Sequence, residues 1–156
     1  MTASTSDRVW TERDGYAEAK GRDDGRSAIS AVYLHTGIGS KHHRQGRGRG
    51  GKHRPANLVS LTGDGTRGEH AWVEANEPIA QILGYMVHSW DDPAEIPIYR
   101  TAPFGAGYGW YLQDDDGQLI PTTPPTEYSA EEIAVALAAF EALRLAERRA
   151  ARPWDL

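Results

Sequence analysis

Three histidines and one asparagine are the residues of this chain best suited to chemistry. His42 and His43 are adjacent, Asn57 lies in a later apolar segment, and His70 precedes another. Imidazole titrates near neutral pH and, when neutral, is a common ligand of divalent metals. The chain contains no cysteine, which excludes a thiolate nucleophile, a disulfide, an iron–sulfur cluster and a cysteine-bound zinc. Any metal must therefore be bound by His, Asp, Glu or Asn.

The local pattern predicts a strand, a loop, a second strand and a helix around these residues. Residues 28–34 are rich in β-branched and aromatic side chains, which favours a strand, and a loop of Gly and Arg follows. Residues 55–61 form a short apolar run bounded by turn residues. A helix should begin near residues 68–70, break or restart at Pro78 and end at Gly84.

The C-terminal half predicts a hairpin and one long helix. Residues 110–112 and 118–120 flank an Asp-Asp-Asp-Gly turn, a strong hairpin signal, and a proline-rich linker follows. Ser129 and Glu132 have the spacing of a capping box before a helix over about residues 130–151. Its apolar stripe must pack against its own domain or against a partner chain, and both remain open at this point.

The order of these motifs resembles the HNH endonuclease family, the ββα-metal fold, and in particular the small HNH proteins of actinobacteria and their phages. The resemblance covers roughly residues 9–100. It is carried by HHR, the Gly-rich basic loop, PANLVSL, GDGTRGEH, HAWVEAN and GYMVHSWDDPAEIP. We therefore expect an α+β protein whose ββα-metal (HNH-like) core is followed by a C-terminal β-hairpin and a long C-terminal α-helix. The expected segments are a polar N-terminal segment (1–26), the core (27–100), the hairpin and Pro-rich linker (101–126) and the helix (127–156).

The resemblance implies metal-dependent hydrolysis of phosphodiester bonds in DNA, with weak sequence specificity or guidance by a partner. It makes His43 the general base, and it makes His42 and His70 ligands of one divalent metal ion (Mg, Mn, Ni or Zn). Asn57 would orient His43 or brace the loop. Glu74 is four residues after His70 on the same helical face and is a candidate third ligand, although an exposed helical Glu is more often simply solvated.

The chain departs from the family at its structural zinc. Many members hold this zinc with two cysteine pairs; here residues 18–22 take the place of the first pair, and Thr62 and Glu69 that of the second. A structural zinc contributes folding free energy, so the loss of this zinc knuckle requires another stabilising device. Trp10, Trp72, Trp90 and the C-terminal hairpin and helix are the candidates.

Charge is distributed unevenly along the chain. The net charge is −5, but residues 41–54 carry six basic residues and no acid, whereas residues 91–132 carry nine acids and one Arg. Acids beyond a Debye length of about 8 Å are largely screened, so a basic segment can still bind phosphates. A solvated loop explains the same pattern equally well. The candidate DNA contacts are Lys41, Arg44, Arg47, Arg49, Lys52 and Arg54.

The sequence leaves a second function open. A catalytically lapsed HNH-fold protein, such as a bacteriophage virion or interaction protein, would also keep these residues. Its partner would be a phage protein or a second copy bound through the C-terminal helix. No segment has the roughly 20 apolar residues of a membrane span, and the polar start lacks a secretory pattern. We therefore expect no membrane partner and an intracellular location in the cytoplasm of a bacterial host, or a virion-associated one under the alternative. His35, His53 and His88 receive no role.

Overall fold

The protein is a mixed α+β fold built from helices and two small antiparallel sheets. The structure is a computed structural model that describes residues 8–35, 39–46, 52–102 and 107–156. The described helices are α1 (Glu12–Arg22), α2 (Gly68–Ala75), α3 (Glu77–Leu83) and α4 (Ala130–Ala150). The described strands are β1 (Gly39–His43), β2 (Leu58–Thr62), β3 (Ile98–Thr101), β4 (Tyr108–Gln113) and β5 (Leu119–Pro121). Strands β1 and β2 form one sheet, and β3, β4 and β5 form the other.

Strands β1 and β2 and helix α2 form the unit that carries the candidate residues. β1 and β2 are antiparallel, with His42 opposite Val59 and His43 opposite Leu58. All five residues of β2 are buried, and α2 packs against this strand. Consecutive strand residues point to opposite faces, so His42 and His43 face different surroundings.

The two short helices predicted around Pro78 are present. α2 ends at Ala75, and α3 begins at Glu77 with Pro78 in its first turn, where the missing amide hydrogen is tolerated. Gly84 ends α3 with a φ of 87°, and a Cβ there would lie 2.1 Å from the Pro97 carbonyl oxygen. Both the left-handed backbone and the close approach therefore require glycine.

Helix α4 packs on its own domain, which settles the alternative left open by its apolar stripe. The predicted capping box is formed by Ser129 and Glu132, and Ala136 and Phe140 are buried. The Phe140 ring contacts those of Tyr85 and Tyr99 in the core. In the described ranges, no helix combines the length and apolarity needed to cross a membrane.

Two local predictions differ from the structure. Residues 28–34 form no strand, because the Ser27 hydroxyl accepts hydrogen bonds from the amides of Ile29 and Ser30, and Ala31 has a φ of 62°. Such side-chain bonds hold the backbone in a turn. The polar N-terminal segment contains α1, which buries few apolar side chains and so has no visible amphipathic pattern.

Candidate metal centre

His42 is a buried, neutral imidazole whose tautomer is fixed by the backbone. Its Nε2 atom lies 2.6 Å from the carbonyl oxygen of Tyr85. Because a carbonyl only accepts, Nε2 carries the proton and Nδ1 keeps its lone pair. Burial lowers the pKa of His42 to about 3. The ring is therefore in the neutral form that binds metals.

His70 lies at the start of α2, directly across from His42. The two ring centroids are 5.0 Å apart with the planes at 71°. Its Nδ1 atom bonds the hydroxyl of Ser40, 2.8 Å away, on β1. Ser40 and His42 are two residues apart on the strand and therefore share the face turned toward α2. One turn further along α2, Glu74 places its Oε1 atom 3.2 Å from His70 Nε2.

These three residues form one candidate ligand set. His42, His70 and Glu74 each offer one ligand atom, and the three atoms lie within 4.8 Å of one another. Ligand bonds to such ions are about 2.0–2.2 Å, so this spread is close to the width of one coordination sphere. His42 is buried and Glu74 is half exposed, so the set opens toward solvent. Two imidazoles and one carboxylate suit a divalent transition metal and leave positions for water or substrate.

The comparisons with known proteins add no relative. No family model, curated protein or solved structure matches this chain.

His43 lies on the other face of β1 and contacts a second histidine. Its Nε2 atom is 3.1 Å from Nδ1 of His53, and the two ring centroids are 5.2 Å apart. The ring of Tyr16 on α1 packs beside both. A bond between two imidazole nitrogens needs one proton between them, so the pair fixes the orientation of His43. The sequence assigned no role to His53, because nothing local indicates that the loop returns to this side of β1.

Asn57 braces the loop that follows β1. Its Oδ1 atom accepts from the amide of Gln45 at 2.7 Å. Its Nδ2 atom donates to the carbonyls of Gln45 and Lys52 at 3.0 and 2.9 Å. The sequence offered two roles for Asn57, orienting His43 or bracing the loop, and these bonds are those of a brace. They join the two ends of the basic loop beside His43.

The prediction that Arg44 contacts DNA is wrong, because its side chain lies in the interior and binds backbone carbonyls. Its guanidinium is buried, with the residue 1% exposed. The three guanidinium nitrogens donate to four backbone carbonyls, those of Ala56, Gly84, Pro93 and Ile96. Burial also lowers the pKa of Arg44 to about 9. The side chain therefore stabilises the contact between β1 and the segments that follow α3, and it cannot reach a phosphate in solvent.

The other candidate DNA-contact residues differ in how far their side chains are exposed to solvent. Arg54 is mostly buried and pairs with Asp92 and Asp115, both at 2.9 Å. Lys41 is half buried, and burial lowers the pKa of its ammonium group. Lys52 is exposed, whereas Arg47 and Arg49 lie outside the described residues.

A buried polar network surrounds Thr62 and Glu69, the positions that correspond to the second cysteine pair in the resemblance. The Glu69 carboxylate is fully buried and accepts from the Ser27 hydroxyl, the Ser30 amide and the Thr62 amide. The Thr62 hydroxyl accepts from the Glu69 amide at 3.1 Å and donates to Glu147 on α4. Residues 18–22 belong to α1 instead. Ser27 and Ser30 have the spacing of a cysteine pair, and the Ser27 hydroxyl and the Ser30 amide are the groups that bond Glu69.

Proposed function

We propose that this protein is a metal-dependent DNA endonuclease of the HNH type, a phosphodiester hydrolase. The observation that carries the proposal is the convergence of His42, His70 and Glu74 at one end of the β1–β2–α2 unit. The ββα-metal reading of this unit explains why its ligand-type residues come from the first strand and the helix. It also explains why His43, the candidate base, directly follows a candidate ligand.

The residues around the set fit a divalent ion. The Tyr85 carbonyl and the Ser40 hydroxyl each bond one nitrogen of a candidate ligand and thereby direct the other nitrogen. Such outer bonds commonly orient metal-binding histidines. When bound, the ion would supply positive charge to the scissile phosphate and its leaving oxygen.

His43 supplies the proton transfer in this proposal. A neutral imidazole can take a proton from the attacking water, which is the role of a general base. His53 and Tyr16 hold the ring, and Asn57 holds the adjacent loop. The ring of the proposed base is then held by residues around β1 and α1.

The network around Glu69 supports the same reading of the fold. Ser27, Ser30, Thr62 and Glu69 join the turn before β1, the end of β2 and the start of α2. In the proposal they replace the structural zinc of the family with hydrogen bonds. A buried network in which the donors and acceptors are paired can favour one packing arrangement of the chain, as a structural metal does.

Plasmid cleavage separates the two proposed roles. We expect nicking of supercoiled DNA with Mg²⁺, Mn²⁺, Ni²⁺ or Zn²⁺, and we expect at least about a hundredfold loss in His43→Ala and in His70→Ala. His43→Ala should still bind metal by calorimetric titration, whereas His70→Ala should bind it about a hundredfold more weakly. His88→Ala, whose ring stacks on exposed Trp90 outside the set, is the matched control. Equal cleavage by the wild type and His43→Ala would reject the assigned base.

The second candidate is a catalytically lapsed interaction or virion protein with the same fold. It is favoured by the basic segment, where Arg44 and Arg54 bind the protein's own carbonyls and carboxylates. Its partner would be a phage protein or a second copy that contacts the exposed side of α4, which includes Val135 and Leu145. This function predicts no cleavage with any metal and no metal binding that depends on His42 and His70.

A further inference from the structure

A cavity of about 550 Å³ lies between the turn after α1, the described residues at the end of β3 and the start of β4, and α4. It shares no lining residue with the candidate metal centre. Five arginines line it against two aspartates, Asp23 and Asp24, which leaves three positive side-chain charges in a protein whose net charge is −5. The arginines are Arg22, Arg26, Arg100, Arg144 and Arg148.

The inner wall of this cavity is a fixed cationic group. Arg22 and Arg100 both bond the Asp23 carboxylate, at 2.8 and 2.6 Å from the same oxygen. Burial alone would raise the pKa of Asp23, but Arg100 and Arg22 hold it well below its ordinary value. One carboxylate therefore neutralises one of two buried guanidiniums, and the wall keeps one positive charge.

The outer wall contains arginines whose guanidinium groups have N–H donors beyond those in the described hydrogen bonds. Arg26 and Arg148 each donate one described side-chain hydrogen bond, to the carbonyls of Ala31 and Ser30. A guanidinium has five N–H donors in a planar fork. Arg144 is engaged with Glu141 through two nitrogens. Arg26 and Arg148 are thus the two side chains best able to bind a ligand directly.

The chemistry of this lining selects a phosphorylated ligand. Guanidinium groups bind phosphate oxygens in bidentate geometry, and one excess charge behind them favours a dianion. The cavity volume falls within the range of about 300–1,000 Å³ that small-molecule sites occupy. Tyr108 adds an aromatic ring to the wall, with its hydroxyl fixed on the Ile29 carbonyl.

We propose that this arginine-lined cavity binds a phosphate monoester, with Arg26 and Arg148 as its direct ligands. The phosphate monoester is the shared chemistry of a free nucleoside monophosphate and of a 5′-phosphorylated DNA end. The site is independent of the proposed nuclease centre, so the failure of one leaves the other standing.

Calorimetric titration of the full chain tests the proposal with four probes: inorganic phosphate, AMP, and a short single-stranded oligodeoxynucleotide with and without a 5′-phosphate. We expect saturable binding of AMP or of the 5′-phosphorylated oligonucleotide, weakened at least about tenfold in the Arg26→Gln/Arg148→Gln double variant. Arg149→Gln neutralises the exposed neighbour of Arg148 on the same helix and should leave binding unchanged. His88→Ala, whose ring stacks on Trp90 outside both the cavity and the candidate metal centre, should also leave it unchanged.

The outcomes separate the ligand sources and can overturn the site. Binding of AMP supports a free nucleotide, and binding of the 5′-phosphorylated but not the unphosphorylated oligonucleotide supports a DNA end. Absence of saturable binding of all three phosphate-containing probes at millimolar concentration overturns the proposal, and so does binding that the double variant retains. Should the double variant unfold, ligand-induced shifts of the wild-type arginine Nε–H and Tyr108 ring resonances give the same decision.

Discussion

Glu69 and His70 are consecutive residues at the start of α2, but their side chains belong to two polar clusters of opposite kind. Glu69 is fully buried, and its carboxylate accepts from one hydroxyl and two amides that belong to the protein. His70 is partly exposed and faces His42 and Glu74. The first cluster pairs an acceptor with donors, whereas the second brings together three groups that can each present a lone pair.

This difference separates a structural cluster from a chemical one. A buried carboxylate with enough donors needs nothing else, and burial raises the pKa of Glu69. Groups whose lone pairs converge are best satisfied together by a cation. Residue type alone therefore does not distinguish the clusters, since both contain Glu on the same helix. The pairing of donors with acceptors does.

The largest expected effect is the loss of the structural cluster. Glu69→Ala leaves the Ser27 hydroxyl and the amides of Ser30 and Thr62 without their acceptor in the interior. We expect the free energy of unfolding to fall by about 3 kcal/mol or more, measured by chemical denaturation. Glu74→Ala on the exposed side of the same helix should change it by less than about 0.5 kcal/mol. A loss below about 1 kcal/mol in Glu69→Ala would mean that this network does not stabilise the fold.

The reverse pattern is expected for the chemical cluster. His70→Ala should weaken binding of Mn²⁺ or Zn²⁺ by about a hundredfold, because it removes one of two imidazole ligands. The same variant should lower the free energy of unfolding by only about 1 kcal/mol, since the ring is partly exposed and loses one bond to Ser40. Titration calorimetry and denaturation of the same samples measure both quantities. Unchanged metal affinity in His70→Ala would show that His42, His70 and Glu74 do not form a metal site.

A smaller effect tests the third ligand. Glu74→Gln keeps the size of the side chain but removes its charge, so metal affinity should fall about tenfold if the carboxylate is a ligand. Glu131→Gln, an exposed glutamate in the first turn of α4, is the matched control for the loss of one negative charge. Equal metal affinities of Glu74→Gln and Glu131→Gln would show that Glu74 is a solvated residue and not a ligand.

The smallest effect concerns pH and contrasts Glu69 with a second buried carboxylate, Asp23. Both carboxylates accept from amides of β2, Asp23 from Ser60 and Glu69 from Thr62. Unlike Glu69, Asp23 is also paired with two arginines. Its pKa is lower in the folded than in the unfolded chain, so its stabilisation is present above about pH 4 and is lost as the pH falls further. Between pH 5 and pH 3 this contributes about 1 kcal/mol of lost stability.

Asp23→Asn checks this assignment by denaturation at both pH values. The variant is expected to be less stable than the wild type at pH 5, since Arg22 and Arg100 lose their counter-charge. Between pH 5 and pH 3, the free energy of unfolding of the variant should fall by about 1 kcal/mol less than that of the wild type. The same pH dependence in both proteins would assign the acid sensitivity to other groups.

The sequence determined the features that depend on neighbours along the chain. The break at Pro78, the end of α3 at Gly84, the capping box of α4 and the Asp-rich hairpin turn all follow from local backbone chemistry. The absence of cysteine limited the metal ligands to the residue types that the structure gathers. The pairing of His70 with Glu74 also required only the geometry of a helix.

Tertiary structure decided which polar residues serve the interior and which face a ligand. Ser27 and Glu69 are separated by 42 positions, and Arg44 reaches a carbonyl 52 positions away. His53 meets His43 only because the loop folds back beside α1. A hydroxyl, guanidinium or imidazole has the same sequence signature whether its partner is water, a carbonyl or a substrate. Burial and the partner that long-range folding supplies determine its role.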